Sequence, residues 1–318
     1  MFEMDRFMRT IGGLRHRVAV TIIAIIAAGF VGSSATIGAE FKQATYATPE
    51  EAAAALLEAA RVGGDPLVKI FGPESRRFLT SGDKVADRIS RENFVAGYAD
   101  AHRLETLADG RVILHVGKDD WPLPIPLVKD GAAWRFDARA GREEIENRRV
   151  GRNELAAIQV CLAFVDAQHE YASEDRDGDG IRAYSQRFVS RKGKKDGLYW
   201  PSGPGEAESP LGALFAAARA KGYSANEAGP TPYHGYIYRI LTKQGDQAPG
   251  RAYNYVIRGK MIGGFALVAY PVRYGVSGVM TFIVNHGGVV YQKDLGPDTA
   301  ALAGKMTTFN PDPSWTKL

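Results

Sequence analysis

Cysteine is almost missing from this chain: one residue, Cys161, in 318. That excludes both a disulfide framework and a cysteine-rich metal site. Histidine is equally sparse, at six residues, and His102, His115 and His234 lie too far apart for zinc-ligand spacing. No charge of one sign dominates: 40 Lys and Arg face 36 Asp and Glu, a net of +4. Clustered basic residues of the kind that grip nucleic acid are absent, so no nucleic-acid partner is expected. Long apolar runs are lacking too, apart from one of 14 residues, Val18–Val31. What remains is ordinary globular material, 45% hydrophobic, 24% charged and 10% aromatic. At this length it predicts two domains.

The single apolar run carries the address. It follows Arg6, Arg9, Arg15 and Arg17 and leads into Gly32-Ser33-Ser34-Ala35 and Ile37-Gly38-Ala39. A basic start, a short apolar run and a small-residue exit predict a secretory signal peptide over 1–39, cleaved after Ala35 or Ala39. Fourteen residues at a rise of 1.5 Å reach about 21 Å, short of the roughly 30 Å of a hydrocarbon core. Only if left uncleaved would the segment tie the protein to a membrane. The expected location is periplasmic or secreted. Half of the net positive charge belongs to this segment, because its four arginines face only Glu3 and Asp5.

The mature chain reads as α+β. Thr48-Pro49-Glu50-Glu51 is a helix start, with an N-cap, a proline at the first position and acids in the first turn. The helix it opens runs to Gly63, and a second is predicted over Lys84–Tyr98. Alternation at Val112, Leu114 and Val116 marks a strand. WPLPIPLV interleaves proline with Leu123, Ile125 and Leu127, which places it on an edge or at a bulge. Lys129-Asp130-Gly131 turns it into AAWRFDA. Helices followed by a meander predict a domain over 45–140, in an order similar to NTF2-like or cystatin-like folds. Residues 141–318 are predicted as a second domain. It opens with a helix to about Ser173 that buries Leu155, Ile158, Leu162 and Val165, with Cys161 and Phe164 beside them. Its charged first part, REEIENRRVGR, is expected in solvent. After a short helix begun at Ser209-Pro210, the chain becomes strand-rich, with Asn285-His286-Gly287-Gly288 as a tight hairpin and a last helix near Asp298–Gly304.

The long strings NRRVGRNELAAIQVC, DAQHEYASEDRDGDG, PYHGYIYRILT, GKMIGGFALVAYPVRYGVSGVMTFIVN and GVVYQKDLGPDT resemble a bacterial family of exported proteins, the domain-of-unknown-function family 2950. The resemblance spans nearly all of the mature chain and implies no activity. More loosely, the long helix, acidic loop and meander of 141–318 are similar to the globular part of type IV pilins and type II secretion pseudopilins. The departure is that the apolar run lies far upstream of the helix, whose first half is charged. Such a helix cannot build a filament core.

One local pattern suggests a cofactor. Asp175, Asp177 and Asp179 with Gly180 match positions 1, 3, 5 and 6 of an EF-hand-type loop, a spacing suited to a hard cation. Position 12 is Gln186, so the bidentate closing carboxylate is missing. Glu174, Ser185 or backbone carbonyls are the remaining candidates to complete a calcium site. The plainer reading is a solvated acidic turn. Tyr236 and Tyr238 share one strand face and Trp121 sits in a turn beside Asp119 and Asp120. These three are candidate contacts for a glycan or an envelope protein, and equally candidates for the core. Ser277 lacks the glycine two residues on that a nucleophile elbow requires. With no nucleophile–base or paired-acid motif, the expectation is a non-catalytic binding or scaffolding protein of the cell envelope. The alternatives are an enzyme whose acids (Asp119, Asp120, Glu143, Glu144) meet only in the fold, and an accessory factor of a pilus or secretion system.

Overall fold

Thr48 caps the first described helix at its N-terminus. Its Oγ1 accepts from the Glu51 amide at 3.1 Å, and the Glu51 carboxylate accepts from the Ala47 amide at 3.1 Å. The computed structural model describes residues 42–203, 205–224 and 231–318. The expected signal peptide lies outside the described residues. In the first half, four helices, α1 (Pro49–Val62), α2 (Asp65–Phe71), α3 (Arg76–Leu79) and α4 (Lys84–Asp100), precede five strands. These are β1 (His102–Thr106), β2 (Val112–Val116), β3 (Trp121–Pro122), β4 (Leu127–Asp130) and β5 (Ala133–Phe136). They form one antiparallel sheet ordered β1-β2-β4-β5, with β3 also paired to β2. The prolines at 122, 124 and 126 break the WPLPIPLV segment into β3 and β4, because each removes a ladder donor.

Helix α5 (Ala138–Tyr171) runs unbroken from the first sheet into the second half. There follow α6 (Gly212–Ala220), β6 (Tyr236–Leu241), β7 (Lys243–Gln244), β8 (Tyr253–Asn254), β9 (Val256–Ile257) and β10 (Lys260–Met261). The chain ends with β11 (Ala266–Pro271), β12 (Met280–Asn285), β13 (Val290–Asp294), α7 (Thr299–Gly304), β14 (Thr308–Phe309) and β15 (Thr316–Lys317). The main sheet here is antiparallel, in the order β15-β13-β12-β11-β6. The fold class is therefore α+β.

Two separate apolar cores result. One lies between α1, α2 and the first sheet, around Leu56, Phe71, Leu114 and Phe136; the other lies between α5 and the second sheet, around Phe164, Leu267 and Phe282. On α5 the expected face is buried in part: Val165 is buried and Ile158 packs on the core, but the two leucines do not. Leu155 and Leu162 are 67% and 37% exposed, whereas Ala157, Val160, Cys161, Phe164 and Gln168 are buried. Small side chains at 157 and 161 let the helix axis approach the sheet, and the larger leucines face outward. Cys161 is fully buried and its thiol is pushed up to about 12 by desolvation, the behaviour of a core residue.

Polar side chains clasp the two halves. Asp83 caps α4, with Oδ1 accepting from the amides of Val85 and Ala86 at 3.1 and 3.0 Å. Its Oδ2 accepts from the Tyr223 hydroxyl at 2.9 Å and the Gly235 amide at 3.0 Å. On α5, Asn153 donates to the Ser277 carbonyl at 2.8 Å, and Glu154 accepts from the amides of Val279 and Met280. Ser277 is buried and its Oγ accepts from the Arg273 amide, closing its own turn.

Candidate functional site

A concavity lined by both apolar and basic side chains lies in the first half, beside α4 and residues 145–152 of α5. It is a cavity of about 600 Å³, a size typical of small-molecule sites, which span roughly 300–1,000 Å³. Leu56, Phe71, Phe78, Phe94, Leu123 and Ile125 form its apolar wall. Helix α4 explains why it is open. Its apolar residues recur on one face, yet none of its 17 residues is fully buried. Phe94 and Gly97 line the cavity, while Phe94 also packs on the first core and the Gly97 carbonyl accepts from the Gly117 amide at 3.1 Å.

The rim is basic. Arg91 from α4 and Arg148, Arg149 and Arg152 from α5 all line the cavity, against a single acid, Asp87. Within α5, Arg142 pairs with Glu146 at 3.1 Å and Arg148 with Glu144 at 2.5 Å. Those pairs use up the nearby acids. Neither Arg91 nor Arg152 has an ion-pair partner among the described residues. Arg149 donates one Nη2 bond to the Phe78 carbonyl at 2.6 Å, while its Nη1 is buried without a partner. Burial pushes this guanidinium below its ordinary value, against the opposing pull of Asp87. The Asp87 carboxylate is itself occupied, accepting from the Ser81 amide at 3.1 and 3.0 Å.

Trp121 belongs to this cavity. It is 40% exposed, and the Arg148 guanidinium lies 5.2 Å from its ring centroid. The two tyrosines singled out with it lie elsewhere. Tyr236 is fully buried, donating to the Met280 carbonyl at 2.9 Å, with its ring beside Phe282. Tyr238 is half-buried and lines a smaller apolar cavity of about 160 Å³ in the second half.

The acidic loop after α5 is formed as the spacing suggests. Asp175 accepts from the amides of Gly178 and Gly180 at 2.9 and 2.7 Å, and both glycines need positive φ, 74° and 84°. One oxygen from each of Asp175, Asp177 and Asp179 lies within 4.8 Å of the others. Lys260 already reaches them: its Nζ is 2.9 Å from Asp177 and also pairs with Asp179. The Lys260 hydrogen bond is the leading cause holding the Asp179 carboxyl below its usual range. Gln186 turns away to donate to the Gly259 carbonyl at 2.8 Å, and Glu174 pairs with Arg176 at 3.1 Å. Ser185 Oγ donates to the Arg187 carbonyl at 2.9 Å. A divalent cation would therefore have to displace an ammonium group.

The acids of the enzyme alternative are spread out. Asp119, Asp120, Glu143 and Glu144 are all exposed, with Asp120 paired to Arg103 and Glu144 to Arg148. None of them lines the cavity. Among the described residues no helix is long and apolar enough to cross a membrane. The charge of REEIENRRVGR, read as solvated, hides three of the four arginines of the rim. A signal for it exists in the string: once Arg142–Glu146 and Glu144–Arg148 are paired at four-residue spacing, Arg149 and Arg152 are left over.

The family model described as protein of unknown function, DUF2950, matches residues 43–318, and the chain belongs to that family. No curated protein and no solved structure matches it.

Proposed function

We propose that this chain is a binding protein of the bacterial cell envelope, exported by its N-terminal segment, that holds a small ligand in the cavity between α4, α5 and the first sheet. The carrying observation is a cavity of about 600 Å³ with an apolar wall and four arginines on its rim. A largely apolar concavity with a few convergent polar groups is the usual form of a small-molecule site. A binding role is favoured over catalysis because the cavity wall offers one acid, Asp87, and its oxygens are held by a backbone amide. The basic segment, apolar run and small-residue exit of residues 1–39 support the envelope location.

The test is direct. A fluorescent apolar probe, 1-anilinonaphthalene-8-sulfonate, should bind the folded mature chain with one saturable site. Ser90→Trp, on the exposed side of α4 and facing the cavity, should abolish that binding while the circular dichroism spectrum stays unchanged. Equal binding by both proteins would place the probe elsewhere and overturn the reading.

The acidic loop is a second binding element, for calcium in competition with Lys260. Its three carboxylate oxygens lie close enough to share one ion, and affinity in the millimolar range or weaker suits an extracellular loop. In calorimetric titration Lys260→Met should bind calcium more tightly than the wild type. No heat from either protein would leave the loop as a lysine-latched turn and remove calcium from the account.

A further inference from the structure

We propose that the ligand of this cavity is a monoanionic amphiphile, a carboxylate carried on a single aliphatic chain, with its head group held by Arg149 and Arg152 and its tail laid along the apolar wall. The inference rests on the binding reading above and goes further by naming the chemistry. Three observations carry it. The first is the orphan donor: Arg149 Nη1 is buried at the cavity and has no hydrogen-bond partner, while Nη2 is fixed on the Phe78 carbonyl. A buried charged donor left without an acceptor is costly; Nη1 is closed to solvent, so an anion in the cavity meets it once the guanidinium turns toward the opening. The second is charge balance. Arg149 and Arg152, three residues apart on α5, face the cavity with no carboxylate paired to either among the described residues. The planar fork of a guanidinium matches the two oxygens of a carboxylate.

The third is the wall. Phe71, Phe78, Leu123, Ile125 and Ile145 form an apolar stretch of the wall, with Ser90 and Asn93 of α4 as its uncharged polar side chains. A ligand body laid along that stretch is apolar, since a polar one would lose its water there without replacement. Asp87 bears on the charge. It lies in the same wall as the arginines and offsets part of their charge, and comparing dodecanoate with dodecyl phosphate separates a single negative charge from the double charge of a phosphate monoester.

The experiment uses the mature chain and dodecanoate below its micellar concentration, followed by calorimetry and by the change in tryptophan emission. Dodecanol supplies the same tail without charge, butyrate the same head without the tail, and dodecyl phosphate a dianion. Dodecanoate should bind with one site, and more tightly than each of the other three. Arg149→Met should weaken dodecanoate about tenfold to a hundredfold, the worth of a buried charged hydrogen bond, and leave dodecanol unchanged. Arg152→Gln, at an exposed position, serves the same purpose should Arg149→Met fail to fold, and should weaken dodecanoate in the same direction. Equal binding of dodecanoate and dodecanol would keep the cavity and overturn the anion assignment. Tighter binding of dodecyl phosphate would overturn the monoanion. Binding of none of the four, together with an unfilled probe site, would overturn the binding reading itself.

Discussion

Asp83→Ala is expected to lower the unfolding free energy by about 4 kcal/mol, from a lost N-cap and two buried donors left unpaired. The carboxylate is 2% exposed and accepts four hydrogen bonds: two from the first turn of α4 and two from across the molecule, Tyr223 and Gly235. Alanine removes the cap from α4 and strands the Tyr223 hydroxyl and the Gly235 amide in a dry interface. Asp83→Asn should cost less, because an asparagine oxygen caps a helix about as well, while its amide meets another donor on the far side. Urea denaturation of the three proteins measures this. A loss below about 1 kcal/mol for alanine, the size of an ordinary cap, would mean that the bonds across the interface contribute nothing.

Gly141→Val should be equally disruptive, by about 3 kcal/mol or more, the upper range for forced overpacking. The first turn of α5 rests on the chain between β3 and β4. A Cβ added at Gly141 would stand 2.6 Å from both Ile125 Cγ1 and the Pro124 carbonyl oxygen. Backbone at that distance cannot be swung aside as a flexible side chain can, so α5 has to lift. Ile125 also lines the cavity, and the same displacement should weaken dodecanoate binding. Thermal unfolding with and without dodecanoate reads both effects. A variant that unfolds at the wild-type temperature would show that α5 is not seated there.

Part of this architecture is legible in the residues alone. Thr48-Pro49-Glu50-Glu51 announces α1, Asn285-His286-Gly287-Gly288 the β12–β13 hairpin, and the α+β order follows from the change of period after Tyr98. The buried face of α5 is not legible, because apolar residues occur nearly all round its second half. Only contact with the sheet chooses Ala157 and Phe164 over Leu155 and Leu162. The two-residue strands β7 to β10 are too short to leave a periodic trace. Trp121 is legible as a candidate, whereas the arginines that share its cavity are not. Arg91 lies some 60 residues from Arg149, and a charge run on a helix reads as solvated until the fold sets α4 opposite it.

The cavity and its orphan guanidinium suggest a trade of stability for binding. Arg149→Met removes the orphan Nη1 and also the Nη2 bond to the Phe78 carbonyl, two changes that act on its own stability in opposite directions. The most direct measurement is therefore the melting temperature of both proteins with and without dodecanoate. The wild type should rise by about 5 °C at a hundredfold excess over its Kd, while Arg149→Met, binding tenfold to a hundredfold more weakly, should rise by about half as much or less at the same concentration. An equal rise in both proteins would contradict the account.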